Sequence, residues 1–144
     1  GPDLGYVGKV EKILIGEIKK KIDKGFIPVI APIGKSKNND YWNINADVVA
    51  GEVAQSLKAE KLILLTDVKG IGDSENKLIS KISLKKGQKV LKEKFIKGGM
   101  TPKLTAALEA KKNGVKSCHI IDGRVPHAVL LEVLTEEGVG TMIS

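Results

Sequence analysis

Between Lys61 and the polar pair Thr66-Asp67 runs the uninterrupted apolar stretch Leu62-Ile63-Leu64-Leu65. A strand with one wet face alternates apolar and polar residues, whereas four apolar residues in a row suit a parallel strand covered on both faces. Such a strand needs helices on both sides, and the flanking sequence supplies helical patterns. Residues 11–24 carry Leu14, Ile15, Ile18 and Ile22 at helical spacing, and Gly25 stops them. Residues 47–57 place Val49, Val53 and Leu57 four apart, with Asn45 or Asp47 available as a cap. Further helices are expected near 84–95, 101–113 and 125–135, and further strands at 117–122 and 139–143. The apolar run 26–33 reads as one more buried strand, 34–40 as a loop, and 70–81, with the polar string Asp73-Ser-Glu-Asn-Lys77, as a hairpin or protruding loop. Strands alternating with helices predict an α/β fold, a layered sandwich with a largely parallel sheet.

With 144 residues the chain fits one domain, and 42% hydrophobic with 28% charged residues excludes a disordered composition. No apolar run nears the ~20 residues of a membrane helix, and no secretory leader pattern opens the chain. A cytoplasmic protein is expected, or an organellar one if the source is a plant or alga. Cys118 is alone, so neither a disulfide nor a metal cluster is expected, and its apolar neighbours mark it as a small buried hydrophobe. The formal charge is 24 − 17 = +7. The lysines are spread over helical faces, stacking aromatics are few, and no nucleic-acid-binding string occurs, so a solvated surface and no nucleic-acid partner is the expectation. Gly1-Pro2 has the form of a protease-tag scar, and the abrupt sequence after it suggests an excised piece, with residues 3–144 as the domain.

Ligands of open α/β sheets gather beyond the carboxyl ends of the strands. Three segments end in residues suited to that edge: Thr66-Asp67, Asn43-Ile-Asn45-Ala-Asp47, and Gly98-Gly99-Met100-Thr101-Pro102-Lys103. In the third, Thr101 is a good N-cap and Pro102 a good first helical residue. Lys103 then falls in the first turn, where a cation opposes the helix dipole by roughly 0.3–1 kcal/mol. A phosphate bound at the glycine-flanked helix start would reverse that penalty. The pattern alone leaves open whether Lys103 meets a phosphate or only solvent. Asn43, Asn45 and Asp47 could hold a polar substrate and orient a lysine, but Asx residues more commonly cap and turn. Asp67 reads as a nucleotide or metal contact or a turn residue, and Asp122-Gly123-Arg124 as a cap or an anion site. His119 is expected to be a satisfied core histidine and His127 an exposed one.

Six of these segments, with the closing Glu137-Gly-Val-Gly-Thr-Met142, resemble in order the amino-acid kinase superfamily, and within it the acetylglutamate kinases. They include Leu4-Gly-Tyr-Val-Gly8, Ile27-Pro-Val-Ile-Ala-Pro-Ile-Gly34, Leu64-Leu-Thr-Asp-Val-Lys-Gly70 and His119-Ile-Ile-Asp-Gly-Arg-Val-Pro-His127. The resemblance covers nearly all of this chain and about the last half of a family member. It implies a carbamate kinase-like C-terminal half that binds ATP, with Mg²⁺ held mainly through the nucleotide and no metal site of its own. The implied reaction is phosphorylation of the side-chain carboxylate of N-acetyl-L-glutamate in arginine biosynthesis. Lys103 and Asp47 would then be catalytic, Asn43 and Asn45 would hold the acetylglutamate, and Thr66, Asp67, Gly98, Gly99 and Met100 would line the nucleotide site. His119, Glu132 and Gly138 match positions of the site at which arginine acts as feedback inhibitor. The resemblance also implies a homo-oligomer in the full-length family and a PII signalling protein as a partner. Without a family N-terminal half, the chain is expected to bind nucleotide weakly and to show no turnover. The competing readings are the equivalent half of an aspartokinase, a glutamate 5-kinase or a carbamate kinase-like protein, and a non-catalytic arginine-sensing or regulator-docking module.

Overall fold

The computed structural model describes residues 8–135 and 138–144. The tag reading of Gly1-Pro2, most of the motif at residues 4–8, and Glu137 lie outside the described residues. The centre of the fold is a four-stranded sheet of β3 (Lys61–Thr66), β4 (Lys81–Ile82), β5 (Ser117–Asp122) and β6 (Gly140–Ile143), in the order β3-β5-β6-β4. β3 pairs parallel with β5 and β4 parallel with β6, while β5 and β6 run antiparallel, so the sheet is largely but not wholly parallel.

Side chains alternate across a strand, and β5 shows which layer lies on which side. Cys118 and Ile120 join Leu62, Leu64, Ile82 and Ile143 in the buried core beneath α2 (Ala46–Leu57), α3 (Leu84–Val90) and α4 (Met100–Lys112). His119 points the other way and bonds Glu132 of α5 (Ala128–Leu134), so a helix also covers the second face. That gives the α/β/α layering, with thin cover on the α5 side. Leu65 of β3 is 49% exposed there, which corrects the expectation of full cover on both faces: α5 packs on β5 and leaves β3 open.

The strand expected at 26–33 does not form. Residues 26–32 pair with no strand among the described residues, and Ile27 and Val29 are 91% and 98% exposed. Pro28 and Pro32 each remove a ladder donor, which accounts for the failure to pair. Gly34 and Lys35, read as loop, instead lie in β1 (Ile33–Lys35), which pairs antiparallel with β2 (Tyr41–Asn43). The turn between them is closed by Ser36, whose Oγ accepts the N–H groups of Asn38 and Asp40. Helix α1 (Ile15–Asp23) packs on α2 and ends at Gly25, whose φ of +80° is the left-handed conformation that suits glycine.

One close approach fixes the antiparallel pair. A Cβ on Gly140 would lie within hard contact of the Ile120 carbonyl oxygen, so only glycine fits where β6 crosses β5. Beside it, the hydroxyl of Thr141 accepts the Ile71 N–H at 2.9 Å and ties the loop after β3 to β6. As expected, 70–81 is hairpin-like, with an isolated antiparallel bridge between Gly72 and Leu78.

Candidate functional site

Helices α2 and α4 lie side by side and run the same way. Near their starts the Lys103 Nζ meets the Asp47 Oδ1 at 2.8 Å, midway Gly51 faces Ala106, and near their ends the Asn113 amide donates to the Gln55 Oε1 at 2.7 Å. Each helix feeds the strand that follows it, α2 into β3 and α4 into β5. A 13-residue helix is about 20 Å long and a six-residue strand about the same, so both helices start at the carboxyl edge of the β3–β5 pair. The opposite edge is marked by Ser117 N–H donating to the Glu60 carbonyl and by the Lys116–Glu60 ion pair.

Two positive helix ends therefore converge where Lys103 sits. A cation there is disfavoured by both dipoles, and Asp47 offsets this: the pair is mostly buried, with 20% and 16% of the side chains exposed. Asp47 lies in the first turn of α2, whose N-cap is Asn45, with Oδ1 accepting from the N–H groups of Asp47 (2.9 Å) and Val48 (3.2 Å). Asn43 is exposed at the end of β2. Thr101 is not the cap of α4. The helix begins at Met100 behind Gly99, because Gly98, at φ +56°, turns the chain early enough for the first turn to form one residue sooner. Lys103 remains in that first turn.

Thr66 and Asp122 sit in register at the same edge. The Gly123 N–H donates to the Thr66 carbonyl at 2.8 Å, and the Thr66 hydroxyl reaches the Asp67 Oδ1 at 3.4 Å. The segment read as a cap or an anion site is an internal ion pair. Asp122 accepts from the Arg124 Nε (2.9 Å), Nη2 (2.8 Å) and backbone N–H (3.0 Å). Those bonds hold the Asp122 carboxyl down to about 2.

Next to the β3 end opens a cavity of about 550 Å³. Its walls combine apolar Val68, Leu78, Phe95, Ile96 and Met100 with Lys69, Lys77 and Lys97 and one carboxylate, Asp73, whose Oδ1 accepts the Lys77 N–H. Of the residues expected to line a nucleotide site, Met100 lines this cavity. Thr66 and Asp67 stop one residue short of Val68, and Gly98 and Gly99 fall between two wall residues, Lys97 and Met100. Sequence reasoning missed Val68, Lys69, Phe95 and Lys97; the available signal was their adjacency to the strand end and to the paired glycines. The size suits a small ligand, and the lining suits one with a flat apolar part and several negative charges.

His119, Glu132 and the segment after Gly138 also come together. His119 is 3% exposed; its Nδ1 lies 2.5 Å from the Glu132 Oε1 and its Nε2 2.9 Å from the Ser117 hydroxyl. The other Glu132 oxygen accepts the Val139 N–H at 3.0 Å. Both carboxylate oxygens are thus engaged inside the chain. Cys118 is fully buried, and burial pushes its thiol up to about 11, as suits an inert core residue. His127 is exposed and starts α5 in the left-handed conformation.

Known proteins resemble this chain in sequence and in fold. An acetylglutamate kinase of Caldanaerobacter subterraneus subsp. tengcongensis is 50% identical over 144 residues, covering 98% of this chain and 48% of that protein. The chain spans about half the length of the curated relatives it matches. The N-acetylglutamate synthase of Neisseria gonorrhoeae, solved with coenzyme A and L-arginine, superposes with a TM-score of 0.89 at 28% identity, over 100% of this chain and 34% of its own. The carbamate kinase of Giardia lamblia, bound to citric acid, superposes with a TM-score of 0.70 at 28% identity, over 92% and 44%. A family model for the amino acid kinase family matches residues 2–122, and the chain belongs to that family.

Proposed function

We propose that the chain is the nucleotide-binding half of an acetylglutamate kinase, acting with a complementary half in ATP-dependent phosphorylation of the side-chain carboxylate of N-acetyl-L-glutamate. The observation that carries this reading is the Lys103–Asp47 pair at the convergence of two helix starts, 2.8 Å apart and largely buried. Phosphoryl transfer asks little covalent chemistry of a protein; it needs positioning and neutralisation of charge on the transferring group. Lys103 supplies a cation where two dipoles already favour an anion, and Asp47 fixes the amine in place. The adjoining cavity has apolar walls for a base and three amines for phosphates. Asn43 and Asn45, on the approach to α2, are the proposed contacts to the acetylglutamate.

Mg²⁺ fits this site through the nucleotide and not through a protein cage. Among the described residues no three His, Cys, Asp or Glu side chains gather, and Asp47 is committed to Lys103. The ion supplies charge neutralisation to the bound phosphates. Arginine inhibition is proposed at His119, Glu132 and Gly138, supported by the arginine-bound synthase of the same fold. An arginine guanidinium there would have to share or displace the contacts Glu132 already makes.

The test is titration calorimetry with MgATP and with arginine. The wild-type chain is expected to bind MgATP, and Lys103→Met to weaken binding at least tenfold, about 1.4 kcal/mol, with its melting cooperativity intact. The pure chain is expected to release no ADP with N-acetylglutamate. Equal MgATP affinity in the two proteins would reject the role of Lys103. Binding of arginine without ATP would favour the alternative, a non-catalytic arginine sensor.

A further inference from the structure

The positive charge of this protein is not distributed over its surface. Nine lysines fall between Lys77 and Lys103, against the single carboxylate of Glu93. That segment therefore carries +8, and the other 117 residues sum to −1. Apart from Lys103, every one of these lysines is exposed, and among the described residues none of the exposed ones makes an ion pair. Two of them, Lys77 and Lys97, form part of the cavity wall, where Lys69 joins them.

Local stability does not account for the arrangement. Ser83 caps α3 and accepts the Lys86 N–H, yet the first turn of that helix holds Lys85 and Lys86 and no acidic residue. Cations there face the positive end of the dipole. Beyond α3 the chain returns to the cavity through a run of tight turns, with Lys92 N–H bonded to the Lys89 carbonyl and Ile96 N–H to the Glu93 carbonyl. Lys89, Lys92 and Lys94 are thus held within a few residues of Phe95 and Lys97 on the cavity wall.

We infer that the lysines at the end of α3 and in the turns after it, Lys89, Lys92 and Lys94, form with Lys77 and Lys97 of the wall an electrostatic collar that draws polyphosphate ligands into the adjoining cavity. This rests on the nucleotide-site reading above. Clustered like charge around a cleft raises the encounter rate with an oppositely charged ligand by one to three orders of magnitude and acts chiefly on association. The collar lysines need not touch the bound ligand, so they govern how fast it arrives and not how long it stays.

The experiment is stopped-flow binding of the fluorescent nucleotide mant-ATP with Mg²⁺. It runs from about 10 mM to about 150 mM salt, over which the screening length falls from about 30 to about 8 Å. The wild-type association rate constant is expected to fall about tenfold across that range. K89E/K92E/K94E is expected to lower the low-salt rate constant about tenfold, flatten its salt dependence and leave the dissociation rate constant unchanged. A circular-dichroism melt of the same variant, expected to match the wild type in cooperativity, separates a loss of steering from unfolding. A matched reversal on α1, K19E/K20E/K21E, changes net charge equally and is expected to act several-fold less. Binding that ignores salt, or that responds equally to both reversals, overturns the collar and leaves the nucleotide site standing. Absence of mant-ATP binding by the wild type at low salt overturns both.

Discussion

Two apolar runs of similar composition meet opposite fates in this protein. Leu62-Ile63-Leu64-Leu65 becomes β3, with Leu62 and Leu64 only 6% and 4% exposed under the helices. Phe26-Ile27-Pro28-Val29-Ile30 stays outside the sheet, with Val29 almost wholly exposed. Hydrophobicity is the same in both; the backbone is not. Every residue from Lys61 to Thr66 pairs in register with one from Ser117 to Asp122. The 26–33 run carries two prolines and is anchored mainly at its end, where the Ile44 N–H donates to the Pro32 carbonyl at 2.9 Å. An apolar run becomes a core strand only when it can offer a ladder and a neighbour takes it.

Truncation tests this contrast most strongly. Leu64→Ala should destabilise the chain by about 2–5 kcal/mol, because the buried side chain leaves a cavity that α2 and α4 cannot close. Val29→Ala should change stability by less than about 0.5 kcal/mol. Urea denaturation of both variants reads the difference directly. A Val29→Ala loss approaching that of Leu64→Ala would mean the 26–33 run is covered in solution, and the contrast would collapse.

The same contrast explains what was legible in the sequence. β5 forms over the expected residues 117–122, and α4 lies within one residue of its expected range, because contiguous apolar runs and glycine stops are local signals. The β1–β2 hairpin was not legible: three-residue strands are too short to show a period. The helix expected at 84–95 stops at Val90 and gives way to turns, although its lysine-rich pattern continues. The Lys103–Asp47 pair links residues 56 apart; the local pattern allowed Asp47 to orient a lysine, and only the resemblance to kinases joined it to Lys103. The cavity was the least accessible feature. Val68, Leu78 and Phe95 meet there through a sheet order with one antiparallel crossing, which no short-range pattern encodes.

A smaller effect is expected at the junction of the two regions, where the β1–β2 hairpin hands over to α2. Asn45 has two readings, helix cap and substrate contact, and its Oδ1 makes the cap by accepting the Asp47 and Val48 N–H groups. Asn45→Ala should cost about 1 kcal/mol and Asn45→Gly only a few tenths, the pattern of a lost N-cap. Thermal melts of the isolated chain give both numbers. If both substitutions are neutral, α2 does not depend on this cap, and Asn45 is left with its proposed ligand role alone.

The smallest effect is expected at the carboxyl edge of the covered strands, and it depends on pH. Asp122 is buried, but the Arg124 side chain that grips it is 64% exposed, so water screens much of the attraction. The bonds from Arg124 lower the Asp122 carboxyl from 3.8 to about 2. Because the folded value lies below the unfolded one, the pair stabilises the fold fully above the ordinary carboxylate range, and that contribution fades as pH falls toward 2. Asp122→Asn should therefore melt below the wild type at pH 6, and the gap between them should shrink steadily on acidification from about pH 4. Val29→Ala, far from any such pair, should show no pH-dependent gap. Melting curves followed by circular dichroism at several pH values decide the point. A gap for Asp122→Asn that stays constant down to pH 2 would show that the side chain's shape, and not its charge on Arg124, closes the sheet at this edge.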